Sequence, residues 1–163
     1  MSAKEKLMEI NRRDMCVAMA AFASLGGILA QAQETPGTTG GAADTTDMAV
    51  SKVFRFDEMK VSHNSNGGWG RAVMHGTLPT GEFVEVHETM LPAGQMPHPP
   101  HRHRNTEFVL IREGKLEFLN DGKPEPASVG DVIYTASNQL HGLKNVGDAP
   151  AYYFVVSVSH GQM

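Results

Sequence analysis

Past residue 50 the chain alternates apolar and polar positions in short runs rather than at a helical period. The runs SKVFRF, RAVMHGTL, EFVEVHETML, TEFVLIRE, GKLEFLN, DVIYT, HGLKNV and AYYFVVSV are all strand-sized. Turn residues separate them. Pro79-Thr80-Gly81 lies between two runs as a hairpin loop, Glu113-Gly114 marks a hinge, and Asp121-Gly122 is a two-residue turn signal. NSNGGWG reads as a loop whose glycines can take positive φ. No stretch after residue 50 carries a helical period, so the pattern predicts an all-β sandwich or barrel.

The first 49 residues follow a different pattern. Arg12-Arg13 precede an uncharged run from Met15 to Ala30, and Ala30-Gln31-Ala32 supplies a small-x-small cleavage pattern. This predicts an export signal over 1–32, of the twin-arginine type because the run is weakly apolar and follows paired arginines. The run is shorter than the ~20 residues a spanning helix requires, so no membrane association is expected after cleavage. Residues 33–49, rich in Thr, Gly, Ala and Asp, read as a flexible linker, and 50–163 as a single domain. The expected location is periplasmic or secreted.

Charge and cysteine content narrow the functional classes. The 163 residues carry 14 Lys plus Arg against 18 Asp plus Glu, and no basic stripe with interleaved aromatics, so nucleic acid is not an expected partner. The one cysteine, Cys16, falls inside the signal, which leaves the remainder without a disulfide or a thiol nucleophile. No Ser-His-Asp arrangement or phosphate-cradling loop is evident.

The chemistry concentrates in PHPPHRHRNTEFVLIREG, residues 97–114. His101, His103 and Glu107 are all odd-numbered, so a regular strand would project them to one side, with Val109 and Ile111 following on that side. A carboxylate on a core-facing side is costly unless paired or bound to a cation, which favours a metal site over a basic solvent loop. His98, in a loop stiffened by prolines, could act as a proton shuttle or substrate contact, or be a solvated loop histidine. His87 could face either side of its strand. Trp69 reads as a buried rim residue and Arg71 as a surface one. Tyr134, Met90, Met96 and Phe118 read as pocket lining or simple core. His63, His75 and His160 have no evident partner.

The stretch resembles the first motif of the cupin superfamily, G-x5-H-x-H-x3,4-E-x6-G: Gly94, QMPHPP, His101, Arg102, His103, RNT, Glu107, FVLIRE and Gly114. Six residues rather than five separate Gly94 from His101. The second motif, G-x5-P-x-G-x2-H-x3-N, has a counterpart in Gly130, DVIYT, Ala136, Ser137, Asn138, QL, His141, GLK and Asn145. Here Ala136 replaces the proline, and Asn138 replaces a glycine whose left-handed conformation Asn tolerates.

The resemblance implies a cupin-type double-stranded β-helix (jelly-roll) barrel, with His101, His103, Glu107 and His141 binding one divalent transition metal. Four protein ligands in an octahedron would leave two positions for water, substrate or dioxygen. The mixed nitrogen and oxygen set suits Mn, Fe, Ni, Co, Cu or Zn. Export of a folded protein favours Mn or Fe, because a weakly held ion loaded before export would be shielded from competition with Cu and Zn. The implied function is a metal-dependent enzyme on a small molecule, of dioxygenase, isomerase or lyase type. The alternative is a non-catalytic module that binds a metal or small ligand. A homodimer is expected, as for many small barrels of this kind.

Overall fold

The computed structural model describes residues 46–160, all within one compact unit, Pro36–Met163. The expected export signal and most of the expected linker lie outside the described residues. Nine strands and no helix are present among them: β1 (Val61–His63), β2 (Trp69–Thr77), β3 (Glu82–Leu91), β4 (Thr106–Glu113), β5 (Lys115–Asn120), β6 (Lys123–Ser128), β7 (Val132–Thr135), β8 (His141–Asn145) and β9 (Ala151–His160). None of the described segments is a helix long and apolar enough to cross a membrane.

The strands form a six-stranded antiparallel sheet, order β1-β2-β3-β9-β4-β7, and a three-stranded sheet, order β6-β5-β8. The chain passes from the first to the second at Gly114, between β4 and β5. Its φ of 93° belongs to the region that favours glycine. A Cβ there would lie 2.7 Å from both Cα and Cβ of Ala151, so the hinge also requires the absence of a side chain. Asp121 and Gly122, with φ of 49° and 84°, close the β5–β6 hairpin as the two-residue signal predicts.

Between the sheets lies one apolar core: Leu91, Val109, Ile111, Leu116, Phe118, Ile133, Leu143, Ala151, Tyr153 and Val155. Cross-strand register shows how this core grades into a polar end. Leu91 faces Ala151; next come Thr89, Tyr153 and Ile111, then His87, Val155 and Val109, and finally Glu85, Ser157, Glu107 and Thr135. Directly paired residues share a face. The inner face of the large sheet is therefore apolar near the Gly114 hinge and polar at the opposite end.

Asn145 holds the barrel closed at the end of β8. Its fully buried side chain donates to the carbonyls of Leu91 (2.9 Å) and Ala149 (2.8 Å) and accepts from the Gly147 amide (2.9 Å). Truncation would strand three backbone groups away from water. Asn145→Ala is expected to lower unfolding free energy by about 3 kcal/mol, measured by urea denaturation. A loss under about 0.5 kcal/mol would mean that water reaches these groups.

Three local readings need correction. SKVFRF (51–56) alternates but pairs with nothing: no strand forms there, and Val53 stays 78% exposed. Arg71 is not a surface residue. It is 12% exposed and lies on the outer face of β2, with Nε 3.4 Å from Glu88 Oε2. Glu88 is fully buried and also meets Arg112 Nη1 at 2.8 Å, which satisfies the desolvation demand on that carboxylate. The Arg71 guanidinium stacks 3.6 Å from the Phe56 ring centroid and donates to the Phe56 carbonyl, fastening the segment before β1 to the sheet. Tyr134 is 58% exposed beside Phe108 on the outer face, so it is not core, although it borders a surface cavity with Phe118 and Ile133, away from the histidines.

Candidate metal centre

The regular part of β4 begins at Thr106, so His101 and His103 do not share a continuous strand with Glu107, contrary to the parity reading. A two-residue bridge orients them instead. His101 and His141 exchange backbone hydrogen bonds of 2.9 and 3.0 Å, and the Asn138 amide donates to the His103 carbonyl at 2.7 Å. Asn138 has φ of 60°, the left-handed conformation expected of the residue standing where the motif has glycine. The two motifs are thus joined by their own backbones. Further along β4 the alternation holds as predicted: Val109 and Ile111 are buried, Phe108 and Leu110 exposed.

The result is convergence. Ring centroids of His101, His103 and His141 lie 4.6–5.0 Å apart, and one ligand nitrogen from each lies within 4.8 Å of the others. Glu107 reaches two of the three, with Oε1 3.3 Å from His103 Nε2 and Oε2 3.9 Å from His141 Nε2.

Backbone carbonyls set two of the tautomers. His141 Nδ1 is 2.9 Å from the Gln139 carbonyl, and His103 Nδ1 is 3.2 Å from that of Asn105. A carbonyl only accepts, so each Nδ1 carries the proton and each Nε2 presents a lone pair when the ring is neutral. His141 Nε2 and His101 Nδ1 are buried with no hydrogen-bond partner. Such orphaned ring nitrogens cost about 1–3 kcal/mol each unless something binds them. Imidazole nitrogens with a carboxylate oxygen are a donor set that fits a divalent transition ion.

The electrostatics point the same way. Burial, with the fields of His98, His141 and His103, pushes His101 down to about 4. Burial likewise lowers His141. His103 is raised, first through its hydrogen bond to Glu107. Burial works to raise Glu107, but the His103 bond and the charges of His103, His141 and His87 outweigh it and keep the carboxylate ionised.

As pH falls, His103 is therefore the first of the three rings whose proton competes with a cation. Divalent-metal affinity is expected to climb by up to about tenfold per pH unit below the raised His103 value and to flatten above it. Below about pH 5 His101 begins to compete as well. Calorimetry across this range checks it, and a flat profile would contradict it.

His98 stands beside the cluster. Its ring lies 4.2 Å from that of His101, edge to face, and its Nδ1 is 3.1 Å from the Pro99 carbonyl, which leaves an exposed Nε2. His87 faces the interior, opposite Val155. Phe118 is core, whereas Met90 pairs with Trp69 on the outer side of the large sheet. His75 is turned inward by a β-bulge between Ala72 and Met74 and sits opposite Glu85. Sequence reasoning passed over Glu85 and Glu88, because a lone Glu within an alternating strand carries no signal of what it faces.

A family model described as a cupin domain matches residues 87–157. No curated protein matches the chain by sequence. Among solved structures, an RmlC-like cupin from Shewanella frigidimarina superposes with a TM-score of 0.56 at 16% identity, covering 69% of this chain and 94% of that one. A predicted oxalate decarboxylase from Thermotoga maritima gives 0.52 at 24% identity, covering 66% and 98%. A sugar phosphate isomerase from Silicibacter pomeroyi gives 0.55 at 20%, covering 69% and 83%. At these identities the likeness is one of fold.

Proposed function

Because the chain belongs to the cupin superfamily, we propose that it is a mononuclear-metal enzyme acting on a small molecule, with His101, His103, His141 and Glu107 as ligands. The observation that carries this reading is the buried, unpartnered Nε2 of His141, facing Glu107 and grouped with two further imidazoles. When bound, a divalent ion, with Mn or Fe favoured over Ni, Co, Cu or Zn, would supply Lewis-acid or redox chemistry to an oxygenated substrate. The chain's own residues have separate tasks. The Gln139 and Asn105 carbonyls hold two rings in the tautomer that presents Nε2. Glu107 contributes negative charge and orients His103. His98, with Nδ1 committed to the Pro99 carbonyl, can hold or move a proton at Nε2 at the rim. Folds similar to those of a sugar phosphate isomerase and a predicted oxalate decarboxylase agree with the isomerase and lyase options.

The paired arginines and apolar run at the N-terminus support export by the twin-arginine route, with metal loading before export. Phe108, Leu110, Val132 and Tyr134, exposed on the outer face of β4 and β7, support pairing with a second copy. Leu110→Asp is expected to convert the dimer to monomer in sedimentation. The test of function is turnover by protein loaded with Mn²⁺ or Fe²⁺ over a panel of hydroxy acids, keto acids and sugars. Activity lost with chelation and in His101→Ala is expected. Stoichiometric metal without turnover would favour a binding module.

A further inference from the structure

The inner face of the large sheet bears a second polar group that the metal centre does not use. Glu85 and His87 alternate on β3, with His87 Nδ1 3.4 Å from Glu85 Oε1. Register places Glu85 on the same rung as Ser157 and Glu107, and His87 one inward position further along. Two strand spacings separate Glu85 from Glu107, roughly 10 Å at Cα, and His87 lies roughly 12 Å from Glu107. Both side chains point inward, yet they remain 34% and 38% exposed, while Val155, Ser157 and Thr135 around them are buried. Inward-facing side chains that solvent still reaches mean that water enters between the sheets at this end. His87 Nδ1 is itself buried and has no hydrogen bond beyond this long approach to Glu85, so the pair is incompletely satisfied.

The charges lining this end are unevenly distributed. Facing it are Glu85 and His87 from β3, His75 from β2, Glu107 from β4 and His141 from β8. Arg71 and Arg112 are engaged with Glu88 on the outer face, and the inward rows of the large sheet carry no lysine or arginine; Lys123, which shares a face with Asn120, lies exposed on the edge strand β6 of the other sheet. His87 keeps Glu85 below the usual carboxylate range, so it stays anionic. A ligand carboxylate at this pole would meet a fixed negative charge with no cation to offset it, whereas hydroxyl groups could donate to Glu85 and exchange hydrogen bonds with His87.

We propose that Glu85 and His87 form the second pole of the substrate site and select a small polyhydroxylated acid. Its carboxylate head lies at the histidine cluster and its hydroxylated tail lies against β3. Allowing for the side chains at both ends, the span suits a chain of about four to six carbons. The inference rests on the metal-dependent reading above and adds a substrate class to it.

Calorimetry on the full chain loaded with Mn²⁺ tests this with three probes: D-gluconate (acid head, hydroxyl tail), adipate (two carboxylates, equal length) and lactate (too short to reach β3). Gluconate is expected to bind about tenfold or more tighter than adipate. In Glu85→Gln, which keeps the shape, the ratio should fall to within about threefold, and in His87→Gln gluconate should weaken by about fivefold or more. Lactate should bind all three proteins equally. Equal binding of gluconate and adipate by the wild type, or an unchanged ratio in both variants, would overturn the proposal while leaving the metal reading intact. Failure of the wild type to take up Mn²⁺ in the same titration would overturn the metal reading, and this inference with it.

Discussion

His141→Ala is expected to lower divalent-metal affinity on the order of a hundredfold to a thousandfold, while leaving the metal-free protein folded and no less stable. The two halves of this result have separate causes. His141 Nε2 is buried, unpartnered and directed at Glu107, so in the absence of a cation that nitrogen carries a desolvation cost, which offsets the Nδ1 hydrogen bond to the Gln139 carbonyl that alanine removes. Its backbone, not its ring, makes the bridge to His101, and alanine preserves that bridge. Once a cation is bound, the same ring becomes one of about four donors; on the scale of structural zinc sites, about 10–16 kcal/mol in all, each carries about 2.5–4 kcal/mol. A purely structural histidine would behave in the opposite way, with stability lost and metal affinity unchanged. Thermal melts with and without Mn²⁺, together with titration, separate the two cases.

Gly114→Ala is expected to be the most damaging small substitution for the fold, costing about 4 kcal/mol from backbone strain and overpacking together. The added Cβ would sit 2.7 Å from two atoms of Ala151 at a φ of 93°, and Ala151 is fully buried at the end of β9. Neither partner can yield without moving the crossing between sheets. Gly122→Ala supplies the control: its φ is also positive, at 84°, but nothing lies within 4 Å, so only the conformational cost of about 1 kcal/mol remains. Since domains of this size are stable by about 5–15 kcal/mol, the first change removes a large fraction of the total and the second does not. Urea midpoints for the two variants should differ clearly; similar midpoints would mean that the hinge relaxes.

The residues legible in sequence were those whose local rule and tertiary environment agree. β2, β3, β4, β5, β7, β8 and β9 follow their apolar runs, with Asp121-Gly122 and Gly114 punctuating them as read. β6, Lys123–Ser128, was missed because it contains two prolines and little apolar surface. It is an edge strand, where a missing amide proton is tolerated. SKVFRF misled because alternation needs a partner strand, and none is there. His87 was ambiguous for a deeper reason. Val84 and Val86 lie on the outer face of β3, and Val158 and Val156 opposite them on β9. The large sheet is thus apolar on both faces, and alternation cannot say which is inside. The centre itself was legible through the spacing of two separated motifs. What spacing could not show is that a bridge between those motifs, rather than one continuous strand, aims His101 and His103.

The most direct test is an anomalous difference map from crystals of the Mn²⁺-loaded protein. One peak per chain, surrounded by His101, His103, His141 and Glu107, is the result this account predicts. A map with no peak there, or with its metal bound elsewhere, would contradict it.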